Sequence, residues 1–235
     1  YFSIKLTDAI ATPFTAFQIV DNCALSNFTS PICNQIVRPL GPTNTSPDNV
    51  PTAVLTNNIN VANLNVSGID FEGSYRFDLG GGKVSMRALA TRQIKYDQVN
   101  APGQPVLKAA GTADLADAQF PIIMPKWRAL FDLGYSLGQV SFNVQERFIG
   151  GYDRSHILVF EQPKVGPVWY TDLNVTFDIQ SKLGKLEIFG TVNNLFDRQA
   201  SLVAVSRTPG VTVPTIRSAY DIVGRYITIG ARATF

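Results

Sequence analysis

The chain has 235 residues, room for one domain or two small ones, and a formal net charge of +2. That near-neutral balance excludes the basic stripe a nucleic-acid binder needs. Charged residues are 16% of the chain, against roughly 25% in soluble domains, and no apolar run reaches the about 18 residues of a transmembrane helix.

The dominant periodicity is two. The first residues have no basic start, apolar h-region or cleavage site. They read as the middle of a strand that runs from Tyr1 into the segment ending near residue 11. A polar stretch follows at residues 12–56, with Cys23 and Cys33 on either side of Pro31. A disulfide closing this loop suits an oxidising compartment, and a pair of free thiols is the other reading. Zinc is not expected, because His156 is the only histidine, it is distant in sequence, and two thiols are too few ligands.

The clearest alternation comes next. Ile69, Phe71, Tyr75 and Phe77 face one way, with Gly73 among them, and Asp70, Glu72, Arg76 and Asp78 face the other. This strand is about twice the usual 5–6 residues and matches the about 9–11 residues of a tilted barrel strand in a bilayer. Val84, Met86 and Ala88 then alternate with Ser85 and Arg87. Trp127, Phe131, Leu133 and Tyr135 alternate with Arg128 and Asp132, and Val140, Phe142 and Val144 with Ser141, Asn143 and Gln145. Trp169, Leu173, Val175 and Phe177 alternate with Asp172, Asn174 and Asp178, and Leu186, Ile188 and Val192 with Lys185, Glu187 and Thr191. The last strand sets Ile227, Ile229, Ala231, Ala233 and Phe235 against Thr228, Arg232 and Thr234. Leu89, Leu130 and Phe189 break the pattern on the polar face, and Arg92 and Glu146 break it on the apolar face.

About eight strands result, joined alternately by tight and long connections. Gly80 to Gly82, Leu137-Gly138 and residues 181–184 read as hairpin turns. Residues 12–56, 100–124, 150–167 and 194–218 read as long polar loops. If the last strand ends at the periplasm, all the tight turns fall on that side and all the long loops outside, as in outer-membrane barrels. The predicted fold class is therefore an all-β, antiparallel transmembrane β-barrel, with the apolar face on lipid and the charged face on a wet lumen. Aromatic residues toward the strand ends fit interfacial girdles. A soluble β-sandwich, which would bury the apolar face, is the competing fold.

Several stretches carry a family resemblance. Gly190-Thr191-Val192-Asn193-Asn194-Leu195-Phe196-Asp197-Arg198 is similar to a penultimate strand running into an N-N-L-F-D turn, and Tyr220-Asp221-Ile222-Val223-Gly224-Arg225 to a Y-D-x-x-G-R opening of the last strand. Ser67-Gly68-Ile69-Asp70-Phe71-Glu72 and Tyr1-Phe2-Ser3-Ile4-Lys5 are similar to upstream strands of the same proteins. In this order they resemble the C-terminal barrel region of TonB-dependent outer-membrane receptors. The resemblance implies a 22-stranded barrel of which this chain supplies about eight C-terminal strands. The N-terminal plug and the segment that docks the inner-membrane TonB transducer are expected outside residues 1–235. It also implies that Phe235 is read as a barrel-assembly signal.

The expected function is uptake of a scarce nutrient (ferric siderophore, cobalamin or oligosaccharide) across the bacterial outer membrane by TonB-coupled active transport. A passive pore or a structural eight-stranded barrel is the alternative. The expected partners are outer-membrane lipid, the plug and upstream strands, the transducer and the small-molecule ligand. No enzyme signature, cofactor or metal site is found: the Gly80 to Gly82 run lacks the helix of a phosphate loop, and Asp70 with Glu72 reads as a lumen charge ladder. Asp114 and Asp117 read as solvated loop carboxylates. Loop placement and side-chain chemistry nominate Tyr152, Arg154, His156, Phe160, Trp169 and Arg207 for ligand contact, aromatic rings for stacking and arginines for carboxylates.

Overall fold

The computed structural model describes residues 1–12, 14–41, 43–99, 106–114, 123–157, 159–181, 184–203 and 215–234. Phe235, Arg207 and Asp117 lie outside the described residues. The fold is built from eight long strands: β1 (Phe2–Ala11), β2 (Ile59–Leu79), β3 (Gly82–Val99), β4 (Trp127–Leu137), β5 (Val140–Ile149), β6 (Val168–Ser181), β7 (Gly184–Asn193) and β8 (Tyr226–Thr234). They form one sheet in chain order, β1 through β8, and a short piece, Leu107–Lys108, also pairs with β3. The pairs from β3 to β8 are antiparallel. The sheet is open, with β1 and β8 at its two ends.

The tight turns follow from their glycines. Gly80 and Gly81 have φ of 59° and 82°, and positive φ at both central positions defines a type I′ turn. Leu137 pairs with Val140, leaving a two-residue turn whose first member, Gly138, has φ of 58°, as a type II′ turn requires. Ser181 pairs with Gly184, and the two residues between them lie outside the described residues. All three turns therefore sit at the same end of the sheet. There Gly82 leaves room for the Tyr135 ring, whose hydroxyl donates to the Leu79 carbonyl at 3.2 Å.

The two faces of the sheet differ in how they are satisfied. The apolar face is uncovered: Ile229 is 80% and Tyr75 67% exposed, and Phe71, Leu133, Phe142, Phe177 and Ile188 are also exposed. In water each such side chain forgoes about 1.5–3 kcal/mol of burial, so the face requires an apolar surrounding. A sandwich would have covered it with a second sheet. The polar face is tied across strands. Arg87 pairs with Glu72 at 2.8 Å, Thr91 donates to Asp70, Gln145 donates to Asp132, Lys185 pairs with Asp178 at 3.0 Å, and Arg232 with Glu187 at 3.3 Å.

Each exception to the alternation meets a partner on a neighbouring strand. Leu89 pairs directly with Leu130, so two apolar residues share one spot on the polar face. Phe189 lies opposite Gly230, and its ring occupies the space a β-carbon there would fill. Glu146 on the apolar face accepts from the Thr171 hydroxyl at 2.6 Å. Arg92 lies opposite Trp127, with its guanidinium 5.5 Å from the ring centroid.

The chain divides into two compact units: Tyr1–Ser3 with Val66–Tyr96 and Lys108–Phe235, and Ile4–Asn65 with Asp97–Leu107. The second holds the cysteine loop, which is more ordered than the polar loop predicted for residues 12–56. Helix α1 (Ala16–Leu25) starts at a capping box, Thr15 with Gln18. A 3₁₀ turn over Pro31–Gln35 follows, and Ile36–Val37 pairs with Ala53–Val54. Cys23 and Cys33 are joined in a disulfide, with Cα atoms 5.1 Å apart. The bonded pair is buried with Ile19 and Ile36, and Phe14, Val20, Ile32 and Val54 pack around them. Buried Asn49 closes the far turn by accepting from the Leu40 N–H and donating to the Gly41 and Asn44 carbonyls.

Candidate functional site: a loop layer anchored on the polar face

At the end opposite the tight turns, the polar face turns apolar. Val168 and Tyr170 share the face of Asp172 and Asn174, yet Tyr170 is only 1% exposed. What covers them is loop. Ala113, Ile123, Tyr152, Val165, Val203, Ile216 and Tyr220, drawn from three long connections, pack with Val168 and Tyr170 into one hydrophobic core. An aromatic residue on a charged face beside a loop is the sequence signal for such an anchor.

Backbone pairing widens the layer. Thr112 bridges to Met124 on one side and to Asp153 on the other, and Tyr152–Asp153 pairs with Lys164–Val165. Asp114, predicted as a solvated carboxylate, instead accepts from the Ser155 hydroxyl and, at 2.9 Å, from the His156 N–H. It caps the turn of the 150–167 hairpin.

Asp172 ties this layer to the wall. Its carboxylate accepts from Arg147 Nε at 2.9 Å and Nη2 at 3.3 Å, and from the Asn194 N–H at 2.8 Å. The Arg147 guanidinium also lies 5.2 Å from the Tyr170 ring centroid. Asn194 is fully buried and left-handed, with φ of 50°, a conformation asparagine tolerates better than most residues. Its side-chain oxygen accepts from the Arg198 N–H at 2.7 Å, and its amide donates to the Arg198 carbonyl at 3.0 Å. Asparagine side chains satisfy backbone groups in this way where a strand gives way to a turn.

The second motif closes onto the first. Tyr220 donates to the Tyr152 hydroxyl at 2.9 Å, and the Asp221 N–H donates to the Tyr170 hydroxyl at 3.3 Å. The Asp221 carboxylate accepts from the Val223 and Gly224 N–H groups, an Asx turn. Gly224 has φ of 80°, and a β-carbon there would lie 2.9 Å from the Asp197 carboxylate. That carboxylate accepts from the Arg225 N–H at 3.0 Å. The turns 194–198 and 220–225 are therefore one interlocked structure.

The nominated contact residues separate by location. Tyr152 is buried in the loop core, and burial together with Tyr220 pushes its phenol well above the ordinary tyrosine range. Trp169 is exposed on the apolar face, its ring 4.4 Å from that of Phe148. Arg154 stacks on Phe160 at 4.1 Å, and exposed His156 stands 3.6 Å from Asp153. These three belong to the 150–167 hairpin, whose tip exposes Ile157 and Val159. Sequence reasoning missed Arg147, Tyr170 and the joining role of Asp172.

Among the described residues no group of three or more His, Cys, Asp or Glu side chains could hold a metal, and no helix is long and apolar enough to cross a membrane. The family model described as "TonB dependent receptor-like, beta-barrel" matches residues 1–195. No curated protein matches the chain. The uncovered apolar face, the sequential antiparallel sheet and the match over most of its length converge: this chain belongs to the TonB-dependent receptor β-barrel family, outer-membrane proteins whose family points to transport and is not an enzyme family.

Proposed function

We propose that this chain forms part of the wall and the extracellular loops of a receptor that takes up a scarce nutrient by TonB-coupled active transport. The nutrient class is a ferric siderophore, cobalamin or an oligosaccharide. The remaining strands of a 22-stranded barrel, the plug and the transducer-docking segment belong to the rest of that receptor, with residues 1–235 as the C-terminal barrel segment. Phe235 serves barrel assembly in this reading.

The observation that carries the proposal is the loop layer. A pore wall needs only a charged lumen, whereas here three loops share a hydrophobic core fixed to the lumen face at Tyr170 and Asp172. Loops held this firmly suit a surface that recognises a ligand. Arg154, His156 and Phe160 project from that layer as contact residues, and Arg207 completes the set. Tyr152 and Trp169 act differently, as core and lipid-face residues.

The test is uptake by whole cells carrying the full-length receptor. Arg154→Ala with Phe160→Ala is expected to lower nutrient uptake about tenfold, the loss of roughly 1.4 kcal/mol of contact, with surface expression unchanged. Unaltered uptake removes the hairpin from the binding site. Steady single-channel conductance by the purified receptor, independent of the transducer, would replace this reading with a passive pore.

A further inference from the structure

Two charges, Arg92 on β3 and Glu146 on β5, break the lipid-facing side of those strands, and they are treated differently. Glu146 has the Thr171 hydroxyl. Arg92 is exposed and forms no ion pair or hydrogen bond among the described residues, where the Trp127 ring is its partner. A ring face attracts a cation but leaves its five N–H donors unmet. An unmet arginine on a lipid face costs about 2–4 kcal/mol at mid-membrane and falls to about 0–1 at the interface. Its depth therefore matters.

Arg92 and Trp127 form the outermost rung of the β3 and β4 pairing, at the end of the sheet away from the tight turns. Trp127 and Tyr135 are eight residues apart on β4, which is about 27 Å of strand. A barrel tilt of 35–45° reduces that to about 20 Å, close to the height of the lipid-facing band. With Tyr135 at the turn end, Trp127 and Arg92 lie where hydrocarbon meets outer-leaflet headgroups.

The site is held in place. Trp127 stacks with Phe71, ring centroids 6.2 Å apart. The Gly150 N–H donates to the Trp127 carbonyl at 2.8 Å, and a β-carbon at position 150 would come within 2.7 Å of that oxygen. Beside Arg92, the Gln93 N–H donates to the Lys126 carbonyl, and the Gln93 side chain donates to the Ser67 carbonyl. A guanidinium at headgroup depth, with free donors and a fixed aromatic ring beside it, matches a phosphate: it donates in a fork to two oxygens while the ring packs on the lipid stem.

We propose that Arg92 and Trp127 form a binding site for an anionic lipid headgroup of the outer leaflet, one whose phosphate carries no compensating cation.

The test uses the full-length receptor in vesicles of brominated-chain phosphatidylglycerol or brominated-chain phosphatidylcholine. Trp127 emission is isolated by difference from the Trp127→Phe protein, and Trp169 emission, isolated in the same way, is the reference. Trp127 quenching should favour the anionic lipid about tenfold in apparent affinity, the magnitude of a charge-assisted hydrogen bond. Arg92→Gln should abolish the preference and Arg92→Lys should keep part of it, with heat-modifiable gel mobility confirming folded barrels. Equal quenching by the two lipids overturns the proposal, as does a preference that survives Arg92→Gln or appears equally at Trp169. Inorganic phosphate is then added to receptor in phosphatidylcholine vesicles. A shift in Trp127 emission there would assign the site to free phosphate and overturn the lipid; no shift upholds it.

Discussion

The chain folds long polar connections in two ways. Residues between β1 and β2 close on themselves: a capping box starts α1, a disulfide joins it to the 3₁₀ turn, Asn49 shuts the far turn, and the core holds Ile19, Cys23, Cys33 and Ile36. The three later connections close on the wall. Their core includes Tyr170 and Val168 from β6, and their last turn hangs on Asp172. A loop that carries its own staple is indifferent to the chemistry of the barrel face. Loops fixed by strand residues inherit their shape from it, so a change in the lumen is felt outside.

The contrast gives expected outcomes that differ in place as well as in size. Asp172→Ala should have the largest effect. It leaves Arg147 unpaired and the Asn194 N–H unmet in a site where the carboxylate is 13% exposed. The cost should be about 3 kcal/mol, read as a lower thermal midpoint of heat-modifiable mobility and new protease cleavage within residues 194–225. The 12–58 loop should resist protease as before; cleavage there too would break the distinction. Replacing Cys23 and Cys33 by serine should produce the reverse map. Losing a ten-residue cross-link costs that loop about 2–3 kcal/mol, and protease should nick only residues 12–58.

Smaller changes sharpen the picture. Gly224→Ala forces a side chain into positive φ and against Asp197, for about 1–2 kcal/mol, measured by urea-dependent loop proteolysis. Tyr220→Phe removes one buried hydrogen bond to Tyr152, about 1 kcal/mol by the same assay. The smallest effect at neutral pH belongs to Tyr152 itself. Its folded pKa lies above the unfolded value of 10.0, so its un-ionised form contributes fully below that pH and loses its contribution as the pH rises beyond it. Loop protection should be flat through neutrality and fall above about pH 10, and Tyr152→Phe should reduce that fall.

The wall was legible in the sequence because alternation is a local property. Ile69 to Phe77 needed no partner to be read as a strand, and Gly80, Gly81 and Gly138 announced the turns. The reach of β3 to Val99 is less legible, because Arg92 breaks its alternation. The loop layer was least legible. Ile123 and Tyr220 meet at Tyr170 only after the chain has run through four strands, β4 to β7, and nothing local to any of them encodes that meeting. Helix α1 is not legible either: residues 12–56 read as a polar loop, and the capping box of Thr15 and Gln18 emerges only in the fold. Arg154, His156 and Phe160, nominated by loop placement and side-chain chemistry, share one hairpin, whereas Tyr152 is buried in the loop core and Trp169 belongs to strand β6 on the lipid face.

The pinned base between β7 and β8 has a practical consequence. Asp197 holds Arg225, and Asp172 holds Asn194, so the two ends of that connection are fastened side by side whatever lies between. For a chain tethered in this way, each doubling of length adds only about 0.6 kcal/mol of closure entropy. With the loops outside as proposed, a foreign epitope or affinity tag spliced between Val203 and Ile216, two residues this connection gives to the loop core, would be displayed on the cell surface without disturbing the strands that carry it.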